Sequence, residues 1–280
     1  MTLDSTIRTE VPPWSENPFT ARARVIWSSG DFRPIARTFA SGAMEFVARL
    51  ALTPGEVVLD VACGTGNLAI PAARAGARVA GIDIAPNLIA AARLEARAAG
   101  LPVSLEVGDA ESLPYGDAQF DTTMSMFGAM FAYRPARVVD ELVRVTRPGG
   151  RIAMANWTAG SLVGKMLRAQ AALMAPPAGV PSPLAWGEEA VVRERLGRRV
   201  ASLACTLRTL ELRFPFAPAA VTELFAACYG PTVTTLRSIG PDAASRLREQ
   251  ITRLFQEHNV ATDGTTVVKG EYLDVLARVA

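Results

Sequence analysis

Histidine is almost missing from this chain: His258 is the single one in 280 residues. Cysteine is nearly as scarce, with Cys63, Cys205 and Cys228 far apart. No close Cys/His spacing exists, so a zinc or redox-metal centre of that type is excluded. The cysteines fit a reducing compartment and read as packing residues rather than nucleophiles. His258, in the polar stretch FQEHNV, reads as a surface residue near a helix end. No apolar run reaches the roughly 18 residues of a membrane span. The first residues, MTLDSTIRTEVPPW, lack the apolar core of a signal peptide. A cytoplasmic protein is expected. Charge of one sign is also lacking: the net charge is +2, and arginines alternate with acids, as in RVVDELVRVTR. That pattern describes solvated helix faces and excludes a basic nucleic-acid track.

What is present is an alternation. Pro34 to Leu52 carries apolar residues at helical spacing and is broken by TPGE. VVLDV then reads as a short buried strand, and NLAIPAARAG as a helix ended by Gly76. ARVAGID is a strand, and PNLIAAARLEARAAG is a helix opened by Pro86 and closed by Gly100. VSLEVGD and FDTTMSMF are strands, ARVVDELVRVT a helix, and GRIAMANW a strand. Strands alternating with helices predict a parallel sheet covered on both faces. After Trp157 the pattern changes to the helical stretches LVGKMLRAQAALM and EEAVVRERLG around a proline-rich loop, MAPPAGVPSPLAWG. A strand at RTLELRF and helices near 218–229 and 241–257 follow. The last stretch, TTVVKGEYLDVLARVA, is expected to be an edge strand closing the sheet.

In an open parallel sheet, ligands bind beyond the carboxyl ends of the strands. The turn after VVLDV lies there. Gly64 and Gly66 let the backbone approach a ligand, and the next helix offers free N–H groups. GTGNLA, with Ala69, also satisfies a dinucleotide fingerprint, so a nicotinamide oxidoreductase is a rival reading. Asp60 argues against it, because a carboxylate at the strand end repels a pyrophosphate and welcomes a cation. GDAESLP, at the end of the third strand, offers an acid to a purine amino group.

LDVACGTG, GIDIAPNLI, GDAESLPYGDAQFD and VTRPGGRIAMANW, in that order, resemble the successive motifs of class I S-adenosylmethionine-dependent methyltransferases. They are most similar to the bacterial small-molecule branch that includes the ubiquinone and menaquinone methyltransferases. The resemblance covers residues 30–157 closely. The ending, with YGPT, NVATDGT and EYLDVLA, is similar to a bacterial subfamily of that branch. The resemblance implies an α/β, Rossmann-like, doubly wound seven-stranded sheet with a helical cap insertion after the fifth strand. Residues 1–33 would form an N-terminal arm or lid, 34–157 the cofactor-binding core, 158–200 the cap, and 201–280 the completion of the sheet. S-adenosylmethionine would be the cofactor. Asp60 would face its methionine end, with Ala62, Gly64 and Gly66 in the turn beside it; Ala62 stands where many members have glycine. Asp83 would accept from both ribose hydroxyls while Ile84 packs on the adenine. Asp109 would take the adenine amino group, with the Ala110 backbone on a ring nitrogen.

Methyl transfer is an in-line displacement from a good leaving group, so orientation supplies much of the acceleration. No catalytic dyad is visible, and Asp121 reads as the start or cap of the fourth strand. The segment SMFGAMFAY lacks the D-P-P-Y or N-P-P-Y pattern of nucleobase amino methylation, which argues against a nucleic-acid acceptor. The acid and amide set of the metal-dependent catechol enzymes is missing too. Phe127, on the cofactor side, and Met130 and Phe131 follow the fourth strand. Asn156 and Trp157 end the fifth, and Trp27 and Phe32 precede the first helix. These residues suit a small, flat or lipophilic acceptor, with Asn156 as its polar anchor. A cofactor-binding protein that transfers no methyl group is the second rival reading.

Overall fold

The computed structural model describes residues 17–280. The remainder of the expected N-terminal arm, residues 1–16, lies outside the described residues. The chain begins with helices α1 (Pro18–Trp27), α2 (Arg33–Thr38) and α3 (Ala40–Leu50). It then alternates through β1 (Val57–Val61), α4 (Ala69–Arg74), β2 (Arg78–Asp83), α5 (Pro86–Ala98), β3 (Val103–Val107), β4 (Phe120–Met126), α6 (Pro135–Val145) and β5 (Thr146–Trp157). Next come α7 (Leu162–Leu173), α8 (Glu189–Leu196) and β6 (Val200–Phe214). Helices α9 (Pro218–Cys228), α10 (Gly230–Ser238) and α11 (Pro241–His258) precede β7 (Thr266–Val279).

Local sequence explains most of these boundaries. Proline occupies the first turn of α1, α5, α6, α9 and α11, where its missing N–H costs nothing. Gly76 and Gly100, at φ +91° and +67°, end α4 and α5 in a conformation that glycine adopts without strain. On α6, Val138, Val139, Leu142 and Val145 are buried at helical spacing, and Arg137 faces outward. The helix expected over Pro34–Leu52 is instead two, α2 and α3, parted at Phe39 (φ −116°, ψ 16°). The break turns the Phe39 ring against Phe127, 5.9 Å away edge-on. Burial of that ring outweighs the continuous helical pattern.

The seven strands form one sheet in the order β3-β2-β1-β4-β5-β7-β6. β1 pairs in parallel with β2 and β4, β2 with β3, and β4 with β5. β7 runs antiparallel to both β5 and β6. The closing strand is therefore not at the edge; β6 is. The amphipathy of the two strands accounts for this. Leu273, Val275, Ala277 and Val279 of β7 are buried, whereas Cys205 to Thr209 of β6 are partly or fully exposed and include Arg208. Exposed charge suits an edge, where it discourages further pairing. The chain winds outward through β1, β2 and β3, then crosses back to β4. That reversal opens a crevice beyond the carboxyl ends of β1 and β4.

Two groups of helices cover the crevice. α1 and α2 approach from the amino-terminal side, and α9 and α10, inserted between β6 and β7, meet them. Their closest approach is made by glycines. A Cβ on Gly230 would lie 2.1 Å from the Ile26 carbonyl, and one on Gly30 would lie 2.8 Å from that of Cys228. Within 158–200, α7 packs on α10 and α11, while α8 lies against α6 and β6. Among the described residues, no helix is long and apolar enough to cross a membrane.

Candidate functional site

The crevice holds a cavity, and its floor is made by the strand ends. Ala62, Gly64, Asp83, Ile84, Asp109, Ala110 and Phe127 all line it. The local folding of the floor starts with Asp60. It is buried, and its Oδ2 accepts the Ala69 N–H at 3.0 Å, which fixes the turn from β1 into α4. Burial pushes the Asp60 carboxyl well above its ordinary range, the Ala69 N–H opposes this, and the Asp83 charge adds to it. Within the turn, Ala62 stands at φ +56°, Gly64 at +53° and Gly66 at +88°.

Asp83 closes the next strand. Its Oδ2 accepts the Gly64 N–H at 2.8 Å and its Oδ1 the Ala85 N–H at 2.9 Å. These bonds fix the carboxylate while leaving further lone pairs toward the cavity. Burial raises its pKa to about 6, with the Ala85, Gly64 and Ile84 N–H groups opposing the rise. Asp109 follows β3. Its Oδ1 accepts the Glu111 N–H at 2.9 Å and its Oδ2 the Thr20 hydroxyl at 2.5 Å. Glu111 also lines the cavity, but its carboxylate is taken by Arg134, from the backbone N–H at 2.7 Å and from Nε at 2.5 Å.

The roof is aromatic. Trp27 lies edge-on to Phe131 at 5.0 Å, to Tyr229 at 5.9 Å and to Phe32 at 6.3 Å. Phe127 stacks on Trp157, with ring centres 3.6 Å apart and planes 8° from parallel. Phe127 holds this position at φ +55°, a strained value for a bulky residue and one met mainly at functional sites.

Trp27, Phe32, Phe131 and Trp157 are therefore on the cavity wall with the expected cofactor residues. Asp60, Gly66, Met130 and Asn156 are not; they lie behind it. Asp60 and Gly66 shape the turn. Met130 is 1% exposed and packs in the core. Asn156 precedes Trp157 in β5, so the two side chains point to opposite faces of the sheet. The Asn156 amide nitrogen is buried without a hydrogen-bond partner. Asp121 accepts the Val57 N–H at 2.7 Å and pairs with Arg147, which is structural work at the far end of the strands. His258 is half-buried, not a free surface group: its Nε2 lies 2.9 Å from Lys165 Nζ.

Sequence reasoning missed Thr20, Phe39, Tyr133, Phe225 and Tyr229, all on the wall. Tyr229 had a signal in YGPT, where a glycine follows an aromatic residue and precedes a helix-starting proline. Gly230 is what lets that junction press on α1.

The site's charge can be tested against S-adenosylmethionine. Asp83, Asp109 and Glu111 line the cavity, and among the described residues no lysine, arginine or histidine does. A cationic sulfonium and ammonium fit such a wall, and a pyrophosphate does not. Gly64 leaves its side open: a Cβ there would meet nothing within 4 Å. The residues present fit the cofactor.

Comparison with known proteins agrees. A family model described as a methyltransferase domain matches residues 59–154. The solved structure of a Bacillus halodurans protein superposes with a TM-score of 0.58 at 20% identity, covering 85% of this chain and 98% of its own. A demethylmenaquinone methyltransferase of Renibacterium salmoninarum is 32% identical over 112 residues, 40% of this chain and 46% of its own. The protein is a class I S-adenosylmethionine-dependent methyltransferase, with S-adenosylmethionine as its cofactor. Mycobacterial proteins match over nearly the whole chain. Rv1405c of Mycobacterium tuberculosis is 35% identical over 281 residues, 98% of this chain and 97% of its own, and the chain belongs to its family.

Proposed function

We propose that the enzyme methylates a small molecule whose reacting part is flat or lipophilic, and that it works mainly by positioning. The observation that carries this reading is the roof of Trp27, Phe32, Phe131 and Tyr229 over the same cavity that Asp83 and Asp109 line. S-adenosylmethionine supplies a methyl group on a cationic sulfur. Asp83 would accept from the ribose hydroxyls and Asp109 from the adenine amino group, on opposite sides of Ile84. Asp60 would act on the methionine end indirectly, through its grip on the Ala69 N–H, which holds the turn from β1 into α4. Phe127 and Trp157 would form the apolar wall beside the reacting centre. The aromatic roof would hold the acceptor in line and exclude water, which is the source of most of the rate in such a displacement.

Among the described residues, the wall carries no ready base. Asp83, Asp109 and Glu111 are engaged by backbone or side-chain donors. Burial pushes the Cys63 thiol and the Tyr229 hydroxyl upward, so both are protonated near neutral pH. The acceptor would arrive already nucleophilic or lose its proton to water.

The test has two parts. S-adenosylmethionine or S-adenosylhomocysteine at a hundredfold excess over its dissociation constant should stabilise the protein by about 2.7 kcal/mol, and a nicotinamide dinucleotide should not. Incubation with a panel of flat, lipophilic acceptors should then release S-adenosylhomocysteine. Cofactor binding without turnover on any member would support a protein that binds the cofactor without transferring methyl.

A further inference from the structure

Behind the aromatic roof lies a second chamber of about 240 Å³. Trp27, Phe131, Ala132 and Tyr133 line both spaces, so they form the partition between them. The second chamber is open to solvent on one side and bounded by α1, α7, α10 and the proline-rich segment between α7 and α8. Its walls are apolar: Ile26 from α1, Leu167 from α7, Met174 just after α7, and Pro177 and Val180 from the loop. Proline suits such a wall, because it presents a rigid apolar ring and no N–H to satisfy.

The polar groups in the wall are mostly spent. Thr234 and Thr235 donate to carbonyls at the start of α10, and Gln170 donates to Thr232 at 2.7 Å. Two arginines remain, Arg22 on α1 and Arg168 on α7, both reaching solvent as well as the chamber. Among the described residues, neither forms an ion pair, and no aspartate or glutamate lines the chamber. Arg22 stands beside the Tyr133 hydroxyl, at the partition itself. The first cavity is thus acidic and the second basic. A methyl acceptor long enough to cross the partition would meet both.

We propose that the second chamber is the subsite for the distal part of the acceptor, and that it selects an apolar body carrying an anionic group such as a carboxylate. The inference rests on the methyltransferase reading of the first cavity. Arg22 and Arg168 take the anion; guanidinium pairs with carboxylate through two parallel N–H donors and stays charged at all working pH values. The apolar walls take the chain or rings. The acceptor's reacting atom then projects past Tyr133 and Phe131 toward the aromatic roof.

The probe is decanoate, with 1-decanol as its uncharged counterpart. Both are measured by displacement of 8-anilinonaphthalene-1-sulfonate, beside calorimetry of S-adenosylhomocysteine. Decanoate should displace the dye from the parent protein at least tenfold more effectively than decanol. Arg22→Gln with Arg168→Gln should remove that preference while leaving S-adenosylhomocysteine affinity within twofold of the parent. Leu167→Trp, which fills the chamber, should block both probes. The proposal is overturned if the parent binds neither probe, if decanoate and decanol bind equally, or if the arginine variants bind decanoate as the parent does. A parent that fails to bind S-adenosylhomocysteine overturns the reading of the first cavity instead, and that outcome is separately visible.

Discussion

Thr20 and Asp109 are 89 residues apart in sequence, and the Thr20 hydroxyl donates to Asp109 Oδ2 at 2.5 Å. Thr20 is itself positioned by Asn17, whose side chain caps α1 by accepting from the Phe19 and Thr20 N–H groups. Asn17 Nδ2 completes the set by donating to Thr20 Oγ1 at 2.8 Å. A second strap runs from the glycine turn to α2, where Asn67 Nδ2 donates to the Ala36 carbonyl at 2.8 Å. The roof helices are therefore tied to the two loops that bound the floor.

The first prediction cuts the Thr20 strap. Thr20→Val keeps the shape and removes the donor. A hydrogen bond to a charged partner is worth about 1.5–3 kcal/mol, so S-adenosylhomocysteine binding should weaken by roughly tenfold or more as the roof loosens. Hydrogen exchange should speed up in 17–33, and slow in the parent when the ligand binds. Tighter binding by the variant would mean that Thr20 screens Asp109 from the adenine instead of positioning it.

The second concerns pH. The folded pKa of Asp83 is about 6, above the ordinary value of 3.8, because burial disfavours the charge. Folding therefore favours the protonated carboxyl. That stabilisation is complete below the unfolded value and is lost as pH rises through about 6. At about 1.36 kcal/mol per unit, the loss between pH 3.8 and neutrality comes to roughly 3 kcal/mol in the ligand-free protein. Asp83→Asn should flatten that slope in denaturant titrations. It should also weaken cofactor binding severely, because the amide lacks the charge and offers one accepting oxygen where the carboxylate offers two. In the parent, calorimetry near pH 6 in buffers of different ionisation enthalpy should show a proton released on binding S-adenosylhomocysteine. Binding without proton release would detach Asp83 from the ribose.

The third concerns the switch point, where Ala62 after β1 meets Gly128 after β4. A Cβ on Gly128 would lie 2.5 Å from the Ala62 carbonyl oxygen and 2.7 Å from the Ala62 Cβ. Gly128→Ala should destabilise by about 1–3 kcal/mol, as overpacking does. Ala62 is left-handed at φ +56°, so Ala62→Gly should stabilise by up to about 1 kcal/mol. The double variant should recover part of the loss, since it removes the Cβ clash and leaves the carbonyl one. Thermal melts of the three variants decide it.

The floor of the site was legible in the sequence because it is local. Asp60, Asp83 and Asp109 each lie at or within two residues of a strand end whose period and turn residues are visible within a few positions. The roof was not, because it is assembled from distant segments. Tyr229 reaches the cavity only through the contact of Gly230 with Ile26, and Phe39 only by breaking a helix that its own periodicity supports. Asn156 was misplaced for a related reason. Strand alternation gives two faces, but which one meets the cavity depends on the Phe127–Trp157 stack. The order of β6 and β7 also depends on pairing, and neither strand's pattern names its neighbours.

The fourth prediction concerns His258. Its Nδ1 lies 2.8 Å from the Leu254 carbonyl, so the hydrogen-bond partners assign the proton to Nδ1 and let Nε2 accept from Lys165. The pair joins α7 to α11, away from the cavity wall. His258→Ala should cost about 1 kcal/mol of stability, the worth of an ordinary hydrogen bond. Turnover should stay within about threefold of the parent, because the residue touches nothing that changes in the transition state. A hundredfold loss would reveal a base role for this histidine.

The fifth concerns Tyr229, whose ring lies 5.9 Å from Trp27, 6.1 Å from Phe32 and 5.6 Å from Phe225. Burial alone pushes its hydroxyl far above the usual range, and the hydroxyl makes no hydrogen bond with the described residues. At neutral pH it is therefore a donor without an acceptor, lining an apolar pocket. A ligand that fills the pocket strips water from this hydroxyl, which is costly unless the ligand offers it an acceptor. Tyr229→Phe should leave the affinity for S-adenosylhomocysteine unchanged, because the hydroxyl belongs to the roof and not to the carboxylate floor. For an acceptor bearing an oxygen or nitrogen lone pair near its reacting atom, KM should rise by about three- to tenfold, the worth of one hydrogen bond of about 0.5–1.5 kcal/mol. For an acceptor without such an atom, the variant should do as well as the parent or better, since the unpaired hydroxyl is gone. A fall in kcat at unchanged KM would instead place the hydroxyl at a charge that develops only in the transition state. Equal kinetics for both kinds of acceptor would remove Tyr229 from acceptor recognition.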